Sequence, residues 1–216
     1  GAHYDNLGSF EGPRDTIYNG ADDNASGTAA IIELARAFSS AESKPKRSIV
    51  FVAFSAEEIG LMGSRAFVNQ IDTEKVVFML NFDMIGRNPG RPISIIGDGF
   101  ATGMSAAVTK ANENVKLDLK LAGSDYFGAS DHNSFYQRDR PFLFFFTGTH
   151  KDYHQPSDHV EKLDLNQMQR ITAMGFELLQ PMAAGEYTPE FIHHISWMGV
   201  RISPQENRVM ITGVSD

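Results

Sequence analysis

Three apolar runs of strand length, Ser48 to Phe54 (SIVFVAF), Lys75 to Phe82 (KVVFMLNF) and Pro141 to Thr147 (PFLFFFT), show almost no polar alternation. A strand with one wet face alternates, whereas a strand covered on both faces can be apolar throughout. Such strands demand helices on both sides, and the segments between them carry helical patterns. Ser26 to Phe38 (SGTAAIIELARAF) places Ile31, Leu34, Ala35 and Phe38 on one face. Leu61 to Gln70, Ala101 to Asn112 and Leu165 to Met182 are further helix candidates. The expected fold is α/β: a three-layer α/β/α sandwich with a mixed, mainly parallel central sheet, its chemistry on the loops at the strand ends. With 216 residues the chain is long enough for one sizeable core.

Composition narrows the function. Nineteen Lys and Arg against 27 Asp and Glu leave a net charge of −8 with no basic run. That balance argues against nucleic acid or an anionic membrane as a partner. No apolar run approaches the ~18 residues of a membrane span. The chain has no cysteine, which excludes disulfides, zinc-thiolate sites and thiol nucleophiles, so any metal must be held by His, Asp and Glu. Gly97-Asp98-Gly99 lacks the lysine of a phosphate loop, and no serine sits in a G-x-S-x-G elbow.

Four segments place acids or histidines at expected strand ends: Gly1 to Asp5 (GAHYD), Gly20 to Gly27 (GADDNASG), Phe54 to Ser64 (FSAEEIGLMGS) and Asn81 to Arg87 (NFDMIGR). A fifth, Lys151 to Asp158 (KDYHQPSD), follows the phenylalanine-rich strand. Singly each is a weak signal, since such residues also form turns. Together, His3, Asp23, Glu58, Asp83 and His154 offer two imidazoles and three carboxylates, a set suited to Zn²⁺ or a similar divalent ion. Five ligands suit two ions that share one carboxylate. In the Glu57-Glu58 doublet one residue can bind metal while its neighbour moves a proton; two glutamates at a helix N-terminus are the plainer alternative. Asp5, two residues from His3 on an extended segment, can accept the second imidazole N–H.

In this order, GAHYD, GADDNASG, SAEEIGLMGS, NFDMIGR and YHQPSD resemble the metal motifs of the co-catalytic zinc aminopeptidase family. Its relatives include bacterial leucyl aminopeptidases, glutamate carboxypeptidase and glutaminyl cyclase. The resemblance covers roughly Gly1 to Ala184 and implies a zinc exopeptidase fold, peptide substrates and an extracytoplasmic setting. Carried over by position, it implies that Asp23 bridges two zinc ions, that His3 and Asp83 complete one, and that Glu58 and His154 complete the other. Asp22 is the fallback for the bridge, and the bridging Asp is expected to precede a cis peptide. Glu57 is implied as general base and Tyr153 as a hydrogen-bond donor to the oxyanion, with a packing tyrosine as the alternative. The competing readings are a single-zinc glutaminyl cyclase, a carboxypeptidase and a non-catalytic binding module; Arg87 is the nearest basic candidate for a substrate carboxylate.

The remaining expectations concern residues outside this set. Asp131 and His132 match a family loop but read equally well as a helix N-cap and a surface imidazole. His150, His159, His193 and His194 read as surface residues, and Met79, Met84 and Phe142 to Phe146 as core. The chain opens on what reads as the end of a strand, so the first strands of the sheet are expected to precede Gly1. Residues 1–185 are expected to form the peptidase domain, with 186–216 a linker and the start of a PDZ-like unit. In that tail, Met198 to Ile202 and Arg208 to Val214 read as strands around a turn at Pro204 to Asn207.

Overall fold

The computed structural model describes residues 1–13, 15–41, 44–197, 200–205 and 208–214, and from residue 195 onward the backbone alone. Its central sheet contains β1 (Ala2–His3), β2 (Ala53–Phe54), β3 (Met79–Phe82), β4 (Ile93–Ile96), β5 (Leu119–Leu121) and β6 (Phe142–Phe146). β1 pairs parallel to β2, and the other four run in the order β3-β6-β4-β5. Gly1 joins the two groups. Its nitrogen donates to the Leu80 carbonyl at 2.6 Å and its carbonyl accepts the Phe82 N–H at 3.0 Å, the bonding of a parallel neighbour opposite Asn81. The order is therefore β2-β1-β3-β6-β4-β5. β3 and β6 are parallel, β4 is antiparallel to β6, and β5 is parallel to β4. The expected mixed, mainly parallel sheet is what forms.

Helices α1 (Gly27–Ser40), α2 (Met62–Gln70), α3 (Met104–Asn112), α4 (His132–Tyr136) and α5 (Leu165–Ala183) cover both faces. On one side, Leu80, Phe82, Leu143 and Phe145 pack with Leu34 of α1, Val108 of α3 and Ile171 and Met174 of α5. On the other, Met79, Phe142 and Phe144 pack with Val68 of α2 and Phe135 of α4. Successive residues of β6 thus enter opposite cores, which is why its sequence shows no alternation. Asp164 starts α5 by accepting the Gln167 N–H at 3.0 Å. Among the described residues no helix is long and apolar enough to cross a membrane.

Two expected strands are shorter than their apolar runs. Only Ala53 and Phe54 of the first run pair with β1, yet Ile49 and Phe51 still pack against the core. Hydrophobicity there records burial, not ladder pairing. Thr73–Lys75 form a single helical turn that takes in the first residue of the second run, whose strand starts at Met79. β4 and β5 have no counterpart among the expected elements, and α4 only the Asp131 cap candidate. β4 has four residues between Pro92 and Gly97, β5 is largely exposed, and α4 is too short to show a helical period.

The tail forms its own antiparallel sheet of β7 (Ile195–Trp197), β8 (Val200–Gln205) and β9 (Arg208–Val214). The expected strand start at Met198 and the turn residues 206–207 lie outside the described residues. Pro204, expected in the turn, is inside β8 opposite Val209. It lies beyond the β7 ladder, which ends at Ile202, so its missing N–H breaks no bond to β7.

Candidate metal centre

The parallel strands β1, β2, β3 and β6 deliver their following loops to one edge of the sheet, and the candidate residues gather there. His3 ends β1 and Asp83 directly follows β3; His3 Nε2 lies 3.5 Å from Asp83 Oδ1 and 3.3 Å from Asp23 Oδ1. The other oxygen of Asp23, Oδ2, is 3.3 Å from His154 Nε2, which stands 3.0 Å from Glu58 Oε2. One carboxylate therefore faces two imidazoles. Ligand atoms of His3, Glu57 and Asp83 lie within 4.8 Å of one another, as do those of Asp23, Glu58 and His154.

Asp23 sits in a kinked turn, Ala21–Ser26, and the Asp23–Asn24 peptide is cis. Asn24 ties this turn to the end of β3: its Nδ2 donates to the Phe82 carbonyl, and its Oδ1 accepts the N–H groups of Gly27 and Met84. Asn6 donates to the Asp23 carbonyl. Gly20, at φ 59°, precedes the turn, and a Cβ there would lie 2.4 Å from that same carbonyl. Asp158 Oδ2 accepts the amides of Asp22 and Asp23 at 2.8 and 3.1 Å. Sequence reasoning assigned Asn6, Asn24 and Asp158 no part in this frame, because their work is on backbone groups distant in sequence.

Asp5 acts differently from the expectation that its carboxylate orients His3. Its backbone carbonyl lies 3.1 Å from His3 Nδ1, while its carboxylate oxygens accept the Glu57 and Glu58 N–H groups, each at 3.2 Å. Oδ1 remains 3.6 Å from the imidazole. The carboxylate thus fixes the glutamate doublet, and the main chain fixes the ring.

Burial and crowding shape the electrostatics. Burial raises Glu57 to about 8, with Asp83 and Asp131 adding to the shift and His3 opposing it. Burial and the Asp23 charge raise Glu58 to about 7. For His3, burial disfavours the charged ring, but the carboxylates of Asp23 and Asp83 outweigh it and push the pKa up to about 12. Tyr153, exposed at its outer edge and stacked on His154 at 3.8 Å, is raised to about 12 by partial desolvation and then by Asp23 and Glu58. Its hydroxyl stays a donor at neutral pH.

The donor set fits a divalent cation. His3 Nε2, Asp23 Oδ2, Glu58 Oε1 and Asp83 Oδ1 are buried without hydrogen-bond partners, and the carboxylates converge with only the two imidazoles facing them. Metal uptake must displace the His3 proton and, near pH 7, part of a proton on Glu58. Zinc binding at pH 7 is expected to release roughly one to two protons per chain. Affinity is expected to weaken as the pH falls through 7, because Glu58 then holds its proton. Calorimetry in buffers of different ionisation enthalpy checks this; a buffer-independent heat would contradict it.

Several other expectations change. His150 is buried, with Nε2 3.1 Å from Asp22 Oδ2, and is not a surface residue. Asp22 itself faces His150 and Gly86, not the candidate centre. Asp131 and His132 are fully buried; the Asp131 side chain makes no cap hydrogen bond, and burial lowers His132 to about 4. The His132 ring stacks on Phe144 at 4.5 Å with Nε2 2.7 Å from the Phe127 carbonyl, so the apolar strand beneath keeps it neutral. His159 and His193 are exposed, whereas His194 sits edge-on to Phe100 with Nε2 2.7 Å from the Gly99 carbonyl. Met79, Met84 and the β6 phenylalanines Phe142, Phe144 and Phe145 are buried, with Phe146 partly so. Arg87 is engaged with Asp152 at 2.7 Å and Asp158 at 3.6 Å, which removes the basic candidate for a substrate carboxylate.

Imidazoles and carboxylates, buried or partly buried, gathered at the C-terminal edge of the parallel strands define a candidate metallohydrolase centre. The chain belongs to peptidase family M28, whose model matches residues 1–179. Aminopeptidase YwaD of Bacillus subtilis (strain 168) is 28% identical over 196 residues, 83% of this chain and 40% of that protein. The solved LapA aminopeptidase of Legionella pneumophila matches with a TM-score of 0.71 at 27% identity, covering 85% of this chain and 50% of that one. BSAP, a zinc aminopeptidase from Bacillus subtilis, matches with a TM-score of 0.69 at 25% identity, covering 78% and 44%. The chain spans half or less of the length of each of these proteins.

Proposed function

We propose that the protein is a zinc-dependent exopeptidase, an aminopeptidase that removes N-terminal residues from peptides. The observation that carries this reading is the Asp23 carboxylate, whose two oxygens each lie 3.3 Å from a different imidazole. In this reading His3 and Asp83 would hold one ion, Glu58 and His154 the other, with Asp23 serving both. Zinc held there would supply Lewis acidity toward the scissile carbonyl and acidify water.

The chain's own groups do the rest. Glu57, held by its amide to Asp5, takes a proton from the attacking water as the new C–O bond forms. It returns that proton to the amide nitrogen as the C–N bond breaks. Tyr153, protonated at neutral pH, donates to the developing oxyanion. Family membership and the zinc aminopeptidase BSAP support the reading.

Elemental analysis and aminoacyl anilide hydrolysis test it together. About two zinc equivalents per chain are expected, with cleavage that requires a free substrate amine. Absence of metal, or equal cleavage of N-acetylated substrate, would refute it. We also propose that the tail from residue 195 is a second unit, a reading supported by the separate sheet of β7, β8 and β9; the expected linker is not free, since Phe191 bridges to Ala101 and the Ile192 N–H donates to the Phe100 carbonyl.

A further inference from the structure

Behind the candidate centre, two side chains without a role in this reading meet. His150 and Asp22 are 4% and 0% exposed, and His150 Nε2 stands 3.1 Å from Asp22 Oδ2. Both atoms are buried with no hydrogen-bond partner, so this close approach is their one polar contact among the described residues. His150 Nδ1 accepts the Asp152 N–H at 3.2 Å, which leaves Nε2 to carry the ring hydrogen toward the carboxylate. Asp22 Oδ1 accepts the Gly86 N–H at 2.6 Å. A Cβ on Gly86 would crowd this approach, lying 3.0 Å from the same oxygen and 2.8 Å from the Leu163 side chain.

The pair therefore joins three loops: the turn with Asp23, the segment after Asp83, and the loop that reaches His154. The two halves of the centre depend on it unequally. His3 and Asp83 are placed by the sheet itself, at the ends of β1 and β3. Asp23 and His154 stand on loops, one residue after Asp22 and four after His150. We propose that His150, acting through Asp22, is a positioning residue for the Asp23, Glu58 and His154 cluster, setting its metal affinity without touching the ion. The proposal rests on the dinuclear reading. Removal of such outer partners typically costs about 10–100-fold in metal affinity.

The test is a Zn²⁺ titration of the metal-free protein by calorimetry, beside His150→Phe, His150→Gln and Asp22→Asn. His150→Phe keeps a ring but removes both nitrogens, and His150→Gln restores a donor. Asp22→Asn can keep the acceptor for Gly86 while setting an NH₂ against Nε2. In His150→Phe one equivalent is expected to weaken about 10–100-fold, with the other, which keeps His3 and Asp83 on the sheet, weakened far less and His150→Gln recovering most of the loss. The weakened equivalent should be the one that His154→Ala removes. If His150→Phe does not fold, Asp22→Asn carries the same expectation.

A lower unfolding temperature with both affinities intact would mean a structural role only and overturn the proposal; so would equal weakening of both equivalents. Wild-type protein that binds no second equivalent would overturn the dinuclear reading, and this proposal with it. The two failures are thus told apart by the wild-type titration.

Discussion

Glu57→Gln is expected to lower kcat by about 10²–10⁴-fold, the range lost with a general base, while leaving the zinc content unchanged. The expectation follows from how the side chain is held. The Glu57 amide is anchored to Asp5 Oδ1, so its backbone does not depend on its own carboxylate. The carboxyl lies beside His3 and Asp83, close enough to reach a group reacting there. Burial raises it to about 8 without metal, so near neutral pH it must first give up a proton, a loss that cations beside His3 and Asp83 would favour, before it can take one from water. Glutamine preserves shape and volume but cannot accept that proton. Near-normal kcat would remove Glu57 from the proton transfer. Loss of about one zinc equivalent would instead make it a ligand, an outcome its place beside His3 and Asp83 makes worth measuring in the same sample.

What could be read from the sequence divides by physical cause. Strands covered on both faces leave a continuous apolar trace, so β3 and β6 and the layers around them were visible in KVVFMLNF and PFLFFFT. Partly covered or very short elements leave none: β5 is largely exposed, and α4 has five residues. The candidate ligands were visible because each follows an apolar strand or sits in a glycine-flanked turn, and five ordered motifs reinforce one another. The frame behind them was not. Asp5 serves the amides of residues 52 and 53 positions away, Asp158 those of residues 136 and 135 away, and Arg87 a carboxylate 65 away. No spacing rule connects such partners, because the sheet order β2-β1-β3-β6 creates their proximity. His150 shows the cost: a histidine in a polar stretch (GTHKD) reads as exposed, and only the fold shows that Asp22 lies over it.

Asp23 tests the shared carboxylate most directly, and its replacement is expected to have a larger effect on metal than that of any outer partner. With Oδ1 toward His3 and Oδ2 toward His154, one side chain serves both clusters. Asp23→Ala removes both oxygens and leaves His3 with Asp83, and His154 with Glu58, each short of a ligand. Zinc is expected to fall from about two equivalents to near none at concentrations that saturate wild type, beyond the ~10–100-fold typical of outer partners. Asp23→Asn keeps one oxygen and turns the other end into an NH₂ that cannot ligate, so about one equivalent should remain, held by whichever imidazole the amide oxygen faces. Asp22→Asn is the contrast: its carboxylate faces His150 and Gly86, so both equivalents should still bind, one of them more weakly. Full occupancy in Asp23→Ala would show that the two halves do not share this carboxylate. Complete loss of metal in Asp22→Asn with retention in Asp23→Ala would move the bridge to the neighbouring aspartate.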